Sequence, residues 1–211
     1  ANIMTTRGCP YRCAYCHNIL GKKFRVRSPE NVLAEIRYIH DNFGITDFQI
    51  IDDIFNLDMG RAKRICDLII QSKMKLTFSF PNAIRGDRMD KELTDKMREA
   101  GTKFMSIAVE TGSPRLQKLI KKNLDLDKVF ETIKYVAEVG IITRGFFMLG
   151  FPTETEEELD QTIEYAKSSS LLGATFFTVV YFPGTELYKL AQSLGYFKYG
   201  DYSVSRDYVN V

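Results

Sequence analysis

The sequence predicts a parallel α/β fold, and three observations predict it. Segments of strand character alternate with segments of helix character along the whole chain, which is the pattern of βα units. Six such units can be counted, and 211 residues suit a single α/β barrel or doubly wound sheet. The polar residues between elements fall just after strand ends, where a parallel barrel gathers the loops of its site.

Each element has a local reason. Residues 2–6 read as a short strand leading into a cysteine-rich loop. Ser28 caps the next helix and Pro29 opens it, where the missing N–H costs nothing, and Val32, Ile36 and Ile39 form its apolar stripe. Residues 47–52 read as the second strand. The helix over 58–72 carries Ala62, Ile65, Cys66 and Ile69 on one face, so Cys66 reads as a core residue. A third strand covers 75–80, and its helix, 91–99, is closed by Gly101.

In the fourth strand, 104–110, Met105, Ile107 and Val109 alternate with Ser106, Ala108 and Glu110. The bulky set faces the helices and the other set the barrel interior, with Glu110 near its mouth. Glu110 is then either a ligand-binding group, the favoured reading, or half of an ion pair with Arg85 or Arg144. Ser113 and Pro114 repeat the cap-and-proline start, and a second helix on this unit runs over 127–138 to Gly140. The fifth strand spans 141–149, and Thr155 with Glu158 predicts a capping box for the fifth helix. The sixth strand spans 174–181, with a helix from about 184 to 195. Residues 1–195 thus form the barrel and 196–211 an aromatic, irregular tail.

Composition excludes several classes. With 45% hydrophobic and 27% charged residues the chain is an ordinary globular sequence. A net charge of +2 does not argue for nucleic acid as an obligatory partner, and the cluster Lys22, Lys23, Arg25 and Arg27 reads more simply as a solvated loop than as a phosphate contact. The longest apolar stretch, 174–182, falls far short of the roughly 20 residues of a spanning helix, so no membrane is expected. Free thiols without a secretory segment point to a reducing cytoplasm. The start at Ala1, directly before a strand, fits a domain cut from a longer protein.

The informative stretch is "RGCPYRCAYCHN", residues 7–18, which holds Cys9, Cys13 and Cys16, three of the four cysteines. Thiolates at this density can wrap one soft metal centre. Tetrahedral zinc needs a fourth ligand, and His17, adjacent to Cys16, is poorly placed to supply it. A four-iron cluster on three thiolates instead leaves one iron open, as an open position marks a catalytic zinc.

The run Cys9-Pro-Tyr-Arg-Cys13-Ala-Tyr15-Cys16 resembles the cluster motif of the radical S-adenosylmethionine (radical SAM) superfamily, with Tyr15 in its aromatic position. The resemblance implies a partial TIM-like (β/α)6 barrel with a [4Fe-4S] cluster, and S-adenosylmethionine chelating the open iron. Reduction then yields methionine and a 5'-deoxyadenosyl radical, with electrons from an external donor such as flavodoxin or ferredoxin. It also implies a set of cosubstrate contacts: Asp52 and Asp53 for the amino group, Glu110 for the ribose, and Lys122 and Arg144 to neutralise that carboxylate. The turn "GFPTET" from Gly150 matches the adenine segment, with Tyr181 a further adenine neighbour. The plain alternatives are a strand-end turn for the aspartates, a solvated Lys122 and a core Tyr181.

"TTRGCPYRCAYCHN", "KKFRVRSPENVLAEI" and "GFFMLGFPTETEEEL" look like the branch whose members usually carry an amino-terminal cobalamin-binding domain. Its Asp-x-His-x-x-Gly signature does not occur in this sequence. With such a domain upstream, the expected reaction is methyl transfer to an unactivated carbon or phosphorus, or a ring rearrangement; without it, hydrogen abstraction. A methylthiotransferase acting on tRNA or protein would need a further cysteine-rich domain and an RNA-binding module. A non-catalytic iron-sulfur electron carrier would gain nothing from an open iron or a lumen-facing Glu110.

Overall fold

In a computed structural model, which describes residues 1–16 and 19–197, the chain enters on β1 (Asn2–Ile3) and continues through β2 (Thr6–Arg7) and β3 (Arg25–Val26). The βα units follow as α1 (Pro29–Phe43), β4 (Asp47–Ile50), α2 (Met59–Ser72), β5 (Thr77–Ile84), α3 (Lys91–Glu99) and β6 (Thr102–Glu110). Two helices, α4 (Pro114–Leu119) and α5 (Leu126–Glu138), precede β7 (Ile142–Leu149), α6 (Glu156–Ser168), β8 (Gly173–Thr178) and α7 (Glu186–Ser193). Six strands form one all-parallel sheet in the order β1-β4-β5-β6-β7-β8, the α/β arrangement of a partial barrel.

Local chemistry sets the elements as the sequence suggested. Ser28 accepts from the Asn31 N–H at the head of α1, Asp58 from the Arg61 N–H at α2, and Ser113 from the Leu116 N–H at α4. Thr155 and Glu158 form the full capping box. Val32, Ile36, Ala62, Ile65 and Cys66 meet Met105, Ile107 and Val109 in the main core, between the sheet and its outer helices.

Three strands differ from expectation by more than two residues. The first strand divides, because Asp52 accepts from both the N–H and the hydroxyl of Thr5, each at 2.5 Å, and draws the chain off the sheet after Ile3. The third strand runs on to Ile84 past Pro81, which lies in a register break between Phe80 and Ile84 where no ladder donor is required. The sixth ends at Thr178, short of Tyr181. Of the tail, Tyr196 and Phe197 pack against Tyr181 at ring separations of 6.4 and 5.7 Å, and residues 198–211 lie outside the described residues. No helix among the described residues is long and apolar enough to cross a membrane.

Candidate functional site

The cysteine loop is closed at its base by the antiparallel ribbon of β2 and β3, which pairs Thr6 with Val26 and Arg7 with Arg25. Gly8 follows at φ 82, and a Cβ there would lie 2.4 Å from the Lys23 carbonyl oxygen, so only glycine lets the two limbs pass. Its N–H donates to Asp53 Oδ2 at 3.0 Å, and the Cys9 N–H donates to the Gly21 carbonyl at 3.2 Å. Farther along, the Ala14 N–H donates to the Ile120 carbonyl and the Ala14 carbonyl accepts from the Leu187 N–H, which docks the loop on α4 and α7. The basic cluster serves this architecture and is not simply solvated. Lys22 donates to the Tyr11 carbonyl at 2.6 Å, Arg25 to that of Leu20 at 3.0 Å and Arg27 to that of Met4 at 3.1 Å.

The loop roofs a cavity of about 370 Å³ at the carboxyl ends of the strands, lined by Cys9, Cys13, Cys16, Tyr15, Glu110 and Lys122. Within it, Lys122 Nζ lies 2.5 Å from Glu110 Oε1, and the Tyr15 hydroxyl donates to the same oxygen at 2.9 Å. Glu110 sits at φ 71, just past a register shift after Ala108. A left-handed glutamate costs about 1–3 kcal/mol, and the two donors on its carboxylate hold it there. Burial, and then the Glu110 carboxylate, push the Tyr15 phenol well above its usual pKa, so it remains a donor. Burial also raises the Cys9 and Cys13 thiols, opposed at Cys13 by the cations Lys122 and Arg85.

The remaining expected residues separate. Asp53 lines the cavity, but Asp52 is buried on Thr5, with its carboxyl pKa raised by burial. Glu110 finds its partner in Lys122, not in Arg85 or Arg144. Arg144 lies lower on the lumen face, with its guanidinium 5.1 and 5.2 Å from the Phe104 and Phe146 rings. Tyr181 stands outside the thiol cavity and donates to the Gly150 carbonyl at 2.9 Å, which places it at the turn expected to contact adenine. Sequence reasoning missed Tyr11. The Arg85 guanidinium sits 4.0 Å over its ring while donating to the Lys122 carbonyl at 2.8 Å, so Arg85 joins the cysteine loop to the Lys122 turn. An aromatic residue inside the cysteine run was the available signal.

A parallel partial barrel with three soft thiols and a buried Lys-Glu-Tyr network on one cavity belongs to the class of barrels that hold a metal cluster and a second ligand side by side. The donor set fits such a cluster: three free thiols, flanked by cations, share one cavity wall without converging on a single point. The sequence model of the radical SAM superfamily matches residues 3–166, and the chain belongs to that superfamily. Membership implies a [4Fe-4S] cluster and S-adenosylmethionine as its cofactors.

Over 90% of its length the chain is 32% identical to an uncharacterised methyltransferase of Pyrococcus horikoshii, covering 41% of that protein. Over 88% it is 34% identical to the cytidylyl-2-hydroxyethylphosphonate methyltransferase of Streptomyces wedmorensis, covering 36%. The fold matches that of the radical S-adenosylmethionine methyltransferase TsrM from Kitasatospora setae, solved with cobalamin and a [4Fe-4S] cluster, at TM-score 0.82 and 22% identity. That match covers 92% of this chain and 40% of TsrM. The chain therefore spans about two fifths of the length of these relatives.

Proposed function

We propose that this chain is the catalytic barrel, residues 1–195, of a cobalamin-dependent radical SAM methyltransferase, with cobalamin held by protein outside this sequence. The observation that carries the proposal is the single cavity on which three thiols and the Tyr15-Glu110-Lys122 network meet. The methyltransferase relatives support the choice of reaction.

In this reading Cys9, Cys13 and Cys16 are the residues that would hold the cluster, beside which S-adenosylmethionine would bind. When bound, the cluster supplies an electron to the sulfonium cosubstrate, and cobalamin supplies a methyl carrier. The protein's own residues bind and orient. Asp53 offers a carboxylate to the amino group, Glu110 accepts from ribose hydroxyls, and Lys122 and Tyr15 hold that carboxylate in place by donating to its Oε1. Tyr15 fixes the cysteine loop to β6 and holds its proton on the phenol oxygen. Tyr181 and the turn from Gly150 flank the adenine. Asp52 acts behind them, by holding Thr5 and hence the root of the loop. The electron donor is external, of the flavodoxin or ferredoxin type, and the working compartment is the reducing cytoplasm.

The test is anaerobic reconstitution of the full-length protein with iron, sulfide and hydroxocobalamin, followed by dithionite and S-adenosylmethionine. S-adenosylhomocysteine or 5'-deoxyadenosine is expected. An intact cluster that yields no cleavage product would sink the proposal.

A further inference from the structure

The lumen face of the barrel continues below the thiol cavity, and its chemistry there is unaccounted for. Ala108 and Phe146 are register partners that both line the cavity. Two residues earlier on each strand, and so on the same face roughly 7 Å deeper, Ser106 is the register partner of Arg144. Ser106 is fully buried and its Oγ has no hydrogen-bond partner. Arg144 Nε is also buried without a partner, and among the described residues no carboxylate stands within ion-pair distance of it.

Phe104 and Phe146 cover the guanidinium through cation-π contact at 5.1 and 5.2 Å. Ring faces stabilise the charge but accept none of its in-plane N–H groups, which form the planar fork that matches an oxyanion. Arg144 is half-buried as a residue, but its Nε and the Oγ of the adjacent Ser106 are both buried without an acceptor, and one bidentate oxyanion on the guanidinium would satisfy both.

We propose that Arg144 and Ser106 form an oxyanion subsite in the lumen, which takes the carboxylate or phosphoryl-type group of the molecule being modified. The subsite rests on the enzymatic reading above and sets its substrate class: an acidic compound anchored below the cofactors, with its reacting carbon or phosphorus toward the thiol cavity.

The experiment follows the arginine Nε–H resonances of the full-length protein labelled with 15N-arginine, with the Arg144 signal assigned through Arg144→Lys and Arg144→Gln. Acetate and methylphosphonate are the probes, titrated with and without the reconstituted cluster, and S-adenosylmethionine is titrated separately. A saturable shift of the Arg144 signal with acetate or methylphosphonate is expected, and the tighter probe identifies the group recognised. Ser106→Ala should weaken it about tenfold, the effect of losing one hydrogen bond to a charged group. Three results would overturn the subsite: no shift with either anion, a signal already at its bonded position before any anion is added, or a shift with S-adenosylmethionine alone. The anion arms need neither cluster nor turnover, so their failure is distinct from a failure to cleave S-adenosylmethionine.

Discussion

Lys122 and Glu110, only 6% and 8% exposed, each depend on the other's charge. Lys122→Met is expected to destabilise the fold by about 3 kcal/mol, because it strands a buried carboxylate, and the double variant with Glu110→Gln to recover most of that loss in urea denaturation. Cys9→Ala, Cys13→Ala and Cys16→Ala should each fail to retain iron and sulfide while circular dichroism stays unchanged, since the main core does not include these thiols. Cys66 is different: burial pushes its pKa up to about 12, so iodoacetamide should label it only on unfolding, as mass spectrometry would show. At this scale the inward placement of Glu110 was legible from alternation along one strand. Its pairing with Lys122 was reached only through the resemblance, because left-handed Lys121 and Asn123, at φ 54 and 49, turn the chain back after α4 in a way no periodicity announces. The burial of Asp52 was illegible for a similar reason, since it depends on Thr5, 47 residues away.

Helix α6 shows how an element is tied into the site region. Glu158 accepts from the Ser113 hydroxyl at 2.6 Å and from Arg115 at 2.8 and 2.5 Å, and those bonds pull its pKa down to about 2. A carboxyl depressed in the folded state stabilises it above the unfolded pKa of about 4.3, and that contribution is lost as pH falls toward the folded value. The advantage of the native protein over Glu158→Gln, about 2 kcal/mol near neutrality, should therefore shrink as pH falls from about 5 to about 2, as urea midpoints would show. At the other end of the site, Gly8→Ala forces a Cβ against the Lys23 carbonyl. The ribbon should open, and iron retention should fall with little change in helix content. Caps and the capping box were legible because they are local. The ribbon of β2 and β3 was not, since two-residue strands carry no alternation and their pairing spans the whole loop.

Across the molecule, the order of six βα units was readable because each apolar stripe repeats the same solution, and the parallel sheet bears it out. What the pattern could not supply was which lumen side chains meet, because strand register and loop return decide that. Strand β6 is flanked by β5 and β7 and buries Met105, Ile107 and Val109 completely, whereas β1 and β8 stand at the margins of the sheet. Amide hydrogen exchange should therefore be slowest in β6 and fastest in β1 and β8, as peptide-resolved mass spectrometry of the full-length protein would show. The ribbon beneath the cysteines has a last consequence. Closing a loop of about 17 residues costs roughly 2.5 kcal/mol of chain entropy beyond a constant, and the pairing of β2 with β3 offsets that cost through main-chain bonds that involve none of the thiols. The two ends of the cysteine loop are thus held together by main-chain bonds, independently of the sulfur atoms the loop presents to the cavity.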